Sequence, residues 1–200
     1  MEDIMQKGEQ TRRNIVLKSA ELFNQKGYAG CSMNDIMEAT GLQKGGIYRN
    51  FKSKDEIALE AFKYAIDTVS QHFSEAIRNA NTTLEKVSAF FNVYEDVINN
   101  PPIKGGCPLL NTAVDSDDTN RLLREKALEV FYTFLNMIEE IIVEGIQNQE
   151  LKPDIDTKAV ASFIIATLEG SIMASKLERD NKHVTYSKQH VLRYLFMLKI

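Results

Sequence analysis

Between Gln43 and Lys54 the chain sets out side chains that can read or grip a polyanion. They are Gln43, Lys44, Tyr48, Arg49, Asn50, Lys52 and Lys54, interrupted by Gly45 and Gly46. Lysine and arginine offer charge to phosphate, and Gln, Asn and Arg carry donor and acceptor patterns suited to base edges. The two glycines remove side chains and let backbone approach a partner closely. No constellation for covalent or hydrolytic chemistry competes with this run. Lys44-Gly45-Gly46 lacks the spacing of a phosphate-binding loop, there is no HExxH, and no Ser/His/Asp set stands at recognisable positions. His72, His183 and His190 are scattered without metal spacing. Cys31 and Cys107 are too few for a cysteine zinc site or a disulfide framework. Glu139-Glu140 and Asp115-Ser116-Asp117-Asp118 could hold a cation, but exposed acidic faces explain them more simply. The expectation is no metal, no cofactor and no enzyme.

These side chains need a scaffold, and the chain reads as helical nearly throughout. Arg12 to Lys26 carries Ile15, Val16, Ala20, Leu22 and Phe23 at the helical period, with Gly27 as its C-terminal cap. Ser32-x-x-Asp35 is a capping box opening a short helix, Met33 to Thr40, which Gly41 ends in a left-handed conformation. The turn Gly41-Leu42-Gln43 is the short glycine-containing connection of a helix-turn-helix, and a third helix runs from Lys44 to about Phe51. Ile36 and Leu42 can bury against Ile47, with Phe23 closing the core. That leaves Gln43, Lys44, Tyr48, Arg49 and Asn50 outward, on a helix that suits the major groove. Lys52 and Lys54 flank its end, where a phosphate strand would pass. Periodicity alone fits an ordinary three-helix cluster with a solvated polar face equally well.

Further helices are expected from Lys54 to Ala80 after a second capping box, Ser53-x-x-Glu56, and over Thr83 to Asn99. Others are expected over Cys107 to Val114, Thr119 to Gln149, Thr157 to Glu178 and Tyr186 to Ile200. The fold class is therefore all-α, about nine helices in two groups: residues 1–53 as a helix-turn-helix head and 54–200 as a larger body. With 200 residues, 44% apolar and 26% charged, the composition is that of a globular chain. Net charge is −4, yet residues 1–54 hold nine Lys/Arg against six Asp/Glu, a head of +3 on a body of −7. Such a distribution suits a protein that meets phosphate with one end. Met1 to Gln10 lack the apolar core of a secretory signal, and no apolar run approaches the roughly 20 residues of a membrane helix. A cytoplasmic protein with no membrane partner is expected.

The residue identities add to this. The run Asp35-Ile36-Met37-Glu38-Ala39-Thr40-Gly41-Leu42-Gln43-Lys44-Gly45-Gly46-Ile47-Tyr48-Arg49-Asn50-Phe51-Lys52-Ser53-Lys54, with Leu22-Phe23 and Gly27-Tyr28 before it, closely resembles the signature of the TetR family of bacterial repressors. The resemblance covers about a quarter of the chain. It implies a homodimer with two DNA heads on a double-stranded operator. It also implies a helical body that binds a small molecule, and loss of DNA affinity when that ligand binds. It further implies that the third helix reads bases while Tyr48 and Lys54 contact phosphate. Cys31 stands where the family often has threonine, Met37 where alanine is usual, and Gln43 in place of a common serine.

In the body, Phe90, Phe91, Tyr94, Phe131, Phe134, Met137 and Phe163 lie on helices expected to surround one interior, the usual build of a small-molecule site. Plain core packing accounts for most of them as well. Cys107, Leu110 and Asn111 sit on a short helix after Gly105-Gly106, where a ligand could push it. The segment Gly105 to Thr112 also resembles a motif in one branch of the same family. The alternative is a connector with a buried cysteine. Ala166, Gly170 and Ala174 recur at four-residue spacing, and Leu192, Leu195 and Phe196 add apolar surface on the last helix. Together they read as a dimer interface, or as packing within one subunit. The leading expectation is a repressor released from a pseudo-palindromic operator by a small, largely apolar ligand, the tilt of the helix from Lys54 resetting the spacing of the heads. The alternatives are an activator, a small-molecule binding protein with the same fold, and an enzyme using Cys107.

Overall fold

The computed structural model describes residues 2–117 and 119–200. Met1, and Asp118 of the acidic run, lie outside them. Among the described residues there are nine helices and no strand: α1 Glu2–Gly30, α2 Met33–Thr40, α3 Lys44–Tyr48, α4 Lys54–Arg78, α5 Thr83–Asn92, α6 Pro108–Ser116, α7 Arg121–Gln147, α8 Thr157–Glu178 and α9 Lys182–Met197. The chain forms two compact units. One takes the chain up to Thr68 together with Ile103–Ala127, and the other takes Val69–Pro102 and Leu128–Ile200.

Local chemistry sets the helix ends. At α2, Ser32 Oγ accepts the Asp35 N–H at 3.2 Å, and the Ser32 N–H donates to Asp35 Oδ2 at 2.7 Å, the reciprocal box expected. Gly41 closes the helix at φ 69°. The second box is only half formed. Ser53 Oγ accepts the Glu56 N–H at 3.2 Å, while Glu56 Oε2 takes the Lys52 N–H instead of that of Ser53. Thr82 and Glu85 make a further reciprocal box at α5, beyond the two expected.

Several boundaries differ from expectation. α1 begins at Glu2 rather than Arg12 and runs on to Gly30, and α4 ends at Arg78 rather than Ala80. α6 spans Pro108–Ser116 rather than Cys107 to Val114, α7 spans Arg121–Gln147 rather than Thr119 to Gln149, and α9 ends at Met197 rather than Ile200. Three further differences have polar contacts nearby. α3 ends at Tyr48 rather than near Phe51, where the Asn50 side chain donates to the Gly46 carbonyl at 2.9 Å. α5 ends at Asn92 rather than Asn99, and the chain continues in turns. There Asn181 accepts the Ile98 N–H at 3.3 Å and donates to Asp96 at 2.6 Å. α9 starts at Lys182 rather than Tyr186, its first turn met by Ser175 Oγ on the Val184 N–H at 3.3 Å.

In the first unit, Ile15, Cys31, Ile36, Ile47, Phe51 and Ile57 form a buried core, edged by Phe23, Met37 and Leu42 among others. In the second, Phe73 stacks on Phe90 at 4.2 Å between ring centres and meets Phe134 edge-on at 5.3 Å. α8 is apolar in composition, although Lys158, Glu169 and Lys176 interrupt it and no unbroken apolar run approaches membrane length. It has 22 residues and a mean hydropathy of 1.4 over its most apolar stretch, long and apolar enough in composition to cross a bilayer. The reason is that it is apolar on two sides. Val160, Ile164, Ile165, Leu168 and Ile172 are buried, while Phe163, Met173 and Leu177 are 45%, 57% and 85% exposed.

Gly27, expected as a simple cap, instead kinks α1 at φ 74°, ψ 167°, a backbone region essentially reserved for glycine. A Cβ placed there would lie 2.6 Å from Asp115 Oδ1. Gly27→Ala is therefore expected to lose roughly 1–3 kcal/mol of stability in urea unfolding. An unchanged midpoint and slope would show that the kink carries no such constraint.

Candidate nucleic-acid interface

The outward side of α3 is built from the inside. Ile47 is fully buried and Phe51 nearly so, which fixes the rotation of a five-residue helix. Gln43, Lys44, Gly45, Tyr48 and Arg49 are left outward, with Lys52 beyond them. Tyr48 is 44% exposed, its ring 5.8 Å from Lys44 Nζ. At Gly45 a Cβ would meet nothing within 4 Å, and its φ is not positive, so the fold itself does not demand glycine there. Gly46 has only ordinary contact, with Leu42 at 3.7 Å.

Two of the expected contact residues are engaged within the protein. The Asn50 amide donates to the Gly46 carbonyl. The Lys54 ammonium donates to the Tyr28 carbonyl at 2.5 Å and sits 4.1 Å from the centre of the Tyr28 ring. The Tyr28 hydroxyl donates to Asp55 at 2.5 Å. Burial first, and then Asp55, push this phenol up to about 12, so it stays a donor near neutral pH.

Arg12 enters the sequence reading only as charge, yet it is a central tie. Its guanidinium lies 4.0 Å over the Phe51 ring, donates to the Asn50 carbonyl, and pairs with Glu56 at 3.1 Å and with Glu60. It thus joins the end of the helix-turn-helix to α1 and α4. The only signal in the sequence is a basic residue on one helix and acidic residues on another.

The other expected site residues divide between the units. Cys107, Leu110 and Asn111 belong to the first unit with α6; Phe90, Phe91, Tyr94, Phe131, Phe134, Met137 and Phe163 belong to the second. Phe90, Phe91, Tyr94 and Phe134 are buried, and Phe131 and Met137 are half-buried. Phe163 faces outward instead, on the side of α8 that carries exposed Ala166 and Gly170, with its ring 5.2 Å from Tyr194. Ala174 and Leu192 are half-buried and Phe196 is exposed, but Leu195 is fully buried and packs inside the subunit. Cys107 is buried at the start of α6. Among the described residues no group of three or more His, Cys, Asp or Glu is placed to hold a metal ion.

The family model described as bacterial regulatory proteins, tetR family, matches residues 15–61. A second, described as tetracyclin repressor-like, C-terminal domain, matches residues 83–191, more than half of the chain. The chain belongs to the TetR family. The HTH-type transcriptional repressor DhaR of Mycobacterium sp. (strain GP1) is 28% identical over 177 residues, 86% of this chain and 85% of its own. The crystal structure of a TetR transcriptional regulator from Chloroflexus aurantiacus shares 40% identity and a TM-score of 0.90, covering 94% of this chain and 96% of its own. That of a TetR-family regulator from Cytophaga hutchinsonii shares 34% identity and a TM-score of 0.91, covering 97% of each. This TetR-family chain is a DNA-binding transcriptional regulator with a helix-turn-helix.

One carboxylate in the TetR head contributes to its stability in a pH-dependent way. The Lys26 ammonium, then the hydroxyl and amide of Ser32, hold Asp35 well below the usual carboxylate range. A depressed carboxylate contributes stability above its unfolded value, near pH 4, and loses it as pH falls through the folded value. Asp35→Asn is expected to be less stable than the native protein at pH 7, with the difference shrinking below about pH 4. Urea unfolding across that range checks this, and a constant difference at all pH values would contradict it.

Proposed function

We propose that the chain acts as a homodimeric repressor that grips a pseudo-palindromic operator through α3 and is released by a small, largely apolar ligand. The observation that carries the operator reading is Gly45, a glycine on the exposed side of α3 that nothing in the fold requires. Its use is then external, letting backbone come close to DNA. Around it, Gln43, Lys44, Gly46, Arg49 and Asn50 serve the base-reading helix, and Tyr48, Lys52 and Lys54 the phosphate strand. Phosphate contacts add affinity without sequence information, whereas base contacts discriminate. The residues 1–53 serve as the DNA head and 54–200 as the ligand-binding and dimerisation region of a cytoplasmic protein.

A second copy of the chain accounts for α8. Phe163, Ala166, Gly170, Met173 and Leu177 follow one another at alternating spacings of three and four, the repeat of a helix-packing seam. A Cβ at Gly170 would meet nothing within 4 Å, so its smallness serves no contact inside the subunit. With Phe196 of α9 exposed as well, the pair of helices supports a two-fold bundle. For the ligand, the support is the aromatic group Phe73, Phe90, Tyr94 and Phe134, within 6.1 Å of Phe73 between ring centres, with Phe91, Phe131 and Met137 on the same helices.

Gly45→Ala tests the operator reading, because alanine favours a helix by about 1 kcal/mol over glycine. Thermal stability should hold or rise while affinity falls for a duplex that the native protein selects from a random pool. Lys54→Ala should weaken binding to all sequences. Selection that enriches no duplex over background would refute operator binding. Gly170→Leu should yield monomers or aggregates in sedimentation, and an unchanged dimer would count against the α8 seam.

A further inference from the structure

α6 is joined to α1 through main-chain recognition at the Gly27 kink. The Asn111 amide donates to the Asn24 side-chain oxygen, the Asn24 carbonyl and the Gly105 carbonyl, each at 2.9 Å. The Asn24 amide in turn donates to the carbonyls of Lys104 and Gly106 at 3.0 Å. One helical turn beyond Asn111, Asp115 Oδ2 accepts the Tyr28 N–H at 2.6 Å, while its other oxygen lies over Gly27. Asn111 and Asp115 are four residues apart and so share a face of α6. Around them is a cavity of about 30 Å³, room for a water molecule or two. Tyr28 passes the contact on. Its carbonyl and ring hold the Lys54 ammonium, and its hydroxyl holds Asp55, which also accepts from Asn120 at 3.2 Å.

We propose that Asn111 and Asp115 are positioning residues for DNA binding: Asp115 latches Tyr28 directly, Asn111 holds Asn24 one turn before it, and together they fix the seat from which Lys54 meets the phosphate strand. This rests on the operator-binding reading above. Loss of the latch leaves α3 its own core and removes the seat of Lys54. The signature is therefore electrostatic: the latch matters to affinity by way of one phosphate contact in each head.

The experiment uses the full chain and a duplex selected by the native protein from a random pool, titrated over a range of salt concentrations. Asp115→Ala is expected to lower affinity about tenfold and to flatten the log–log salt slope as Lys54→Ala does, by about one unit per head. The double variant should bind no worse than Lys54→Ala alone, because both changes remove one interaction. Asp115→Asn, which keeps an oxygen for the Tyr28 N–H, should restore most of the affinity and the slope. Should Asp115→Ala not fold, Asn111→Ala supplies the same comparison. Native affinity in these variants overturns the latch. So does a loss that leaves the salt slope unchanged and adds to the Lys54→Ala effect, which is the mark of a merely structural role. Failure of the native protein to select any duplex refutes the operator reading instead, so the two failures are distinct.

Discussion

A helix of five residues with two glycines has no stability of its own, since nucleating a helix costs more than one turn returns. α3 exists because Ile47 and Phe51 are anchored in a core that also takes Ile15, Ile36 and Ile57. Everything outward on that helix inherits its direction from those two apolar anchors. Arg12, stacked on Phe51 and bonded to the carbonyl before it, closes the far end. The outward side chains of α3 are thus held by residues in or closing the head's core, and the order of dependence runs from burial to exposure.

α8 follows the same logic with the sign reversed. One apolar side satisfies the second unit's core, and the other is left in solvent by a single copy of the chain. A globular protein does not ordinarily keep so large an apolar stripe without a use for it. High hydropathy here marks a helix with two apolar sides.

The sequence discloses these elements unevenly. α2 and α8 are legible to the residue, because capping boxes and cap carboxylates act over three residues and leave a local mark. Phe163 reads as interior because a helix apolar on both sides has no polar face to set its orientation. Leu195 reads as interface for a similar reason: period separates apolar from polar, not one apolar contact from another. The junction of α6 with α1 is invisible in the sequence. Asn24 and Asn111 stand 87 positions apart, and Asp115 looks like part of a solvated acidic run. Resemblance assigns Lys54 to phosphate, but only the structure shows the tyrosine carbonyl that also holds it.

The two cysteines are both buried, and both lie in the first unit, Cys31 in the head core and Cys107 at the start of α6. Burial pushes the Cys31 thiol up, which keeps it protonated and slow to react while the core is closed. Alkylation can then proceed only through opening of the surrounding structure. The chain therefore carries its own pair of reporters: labelling rates at the two thiols measure the local opening free energies of the DNA head and of α6, with no contribution from a thiol in the second unit.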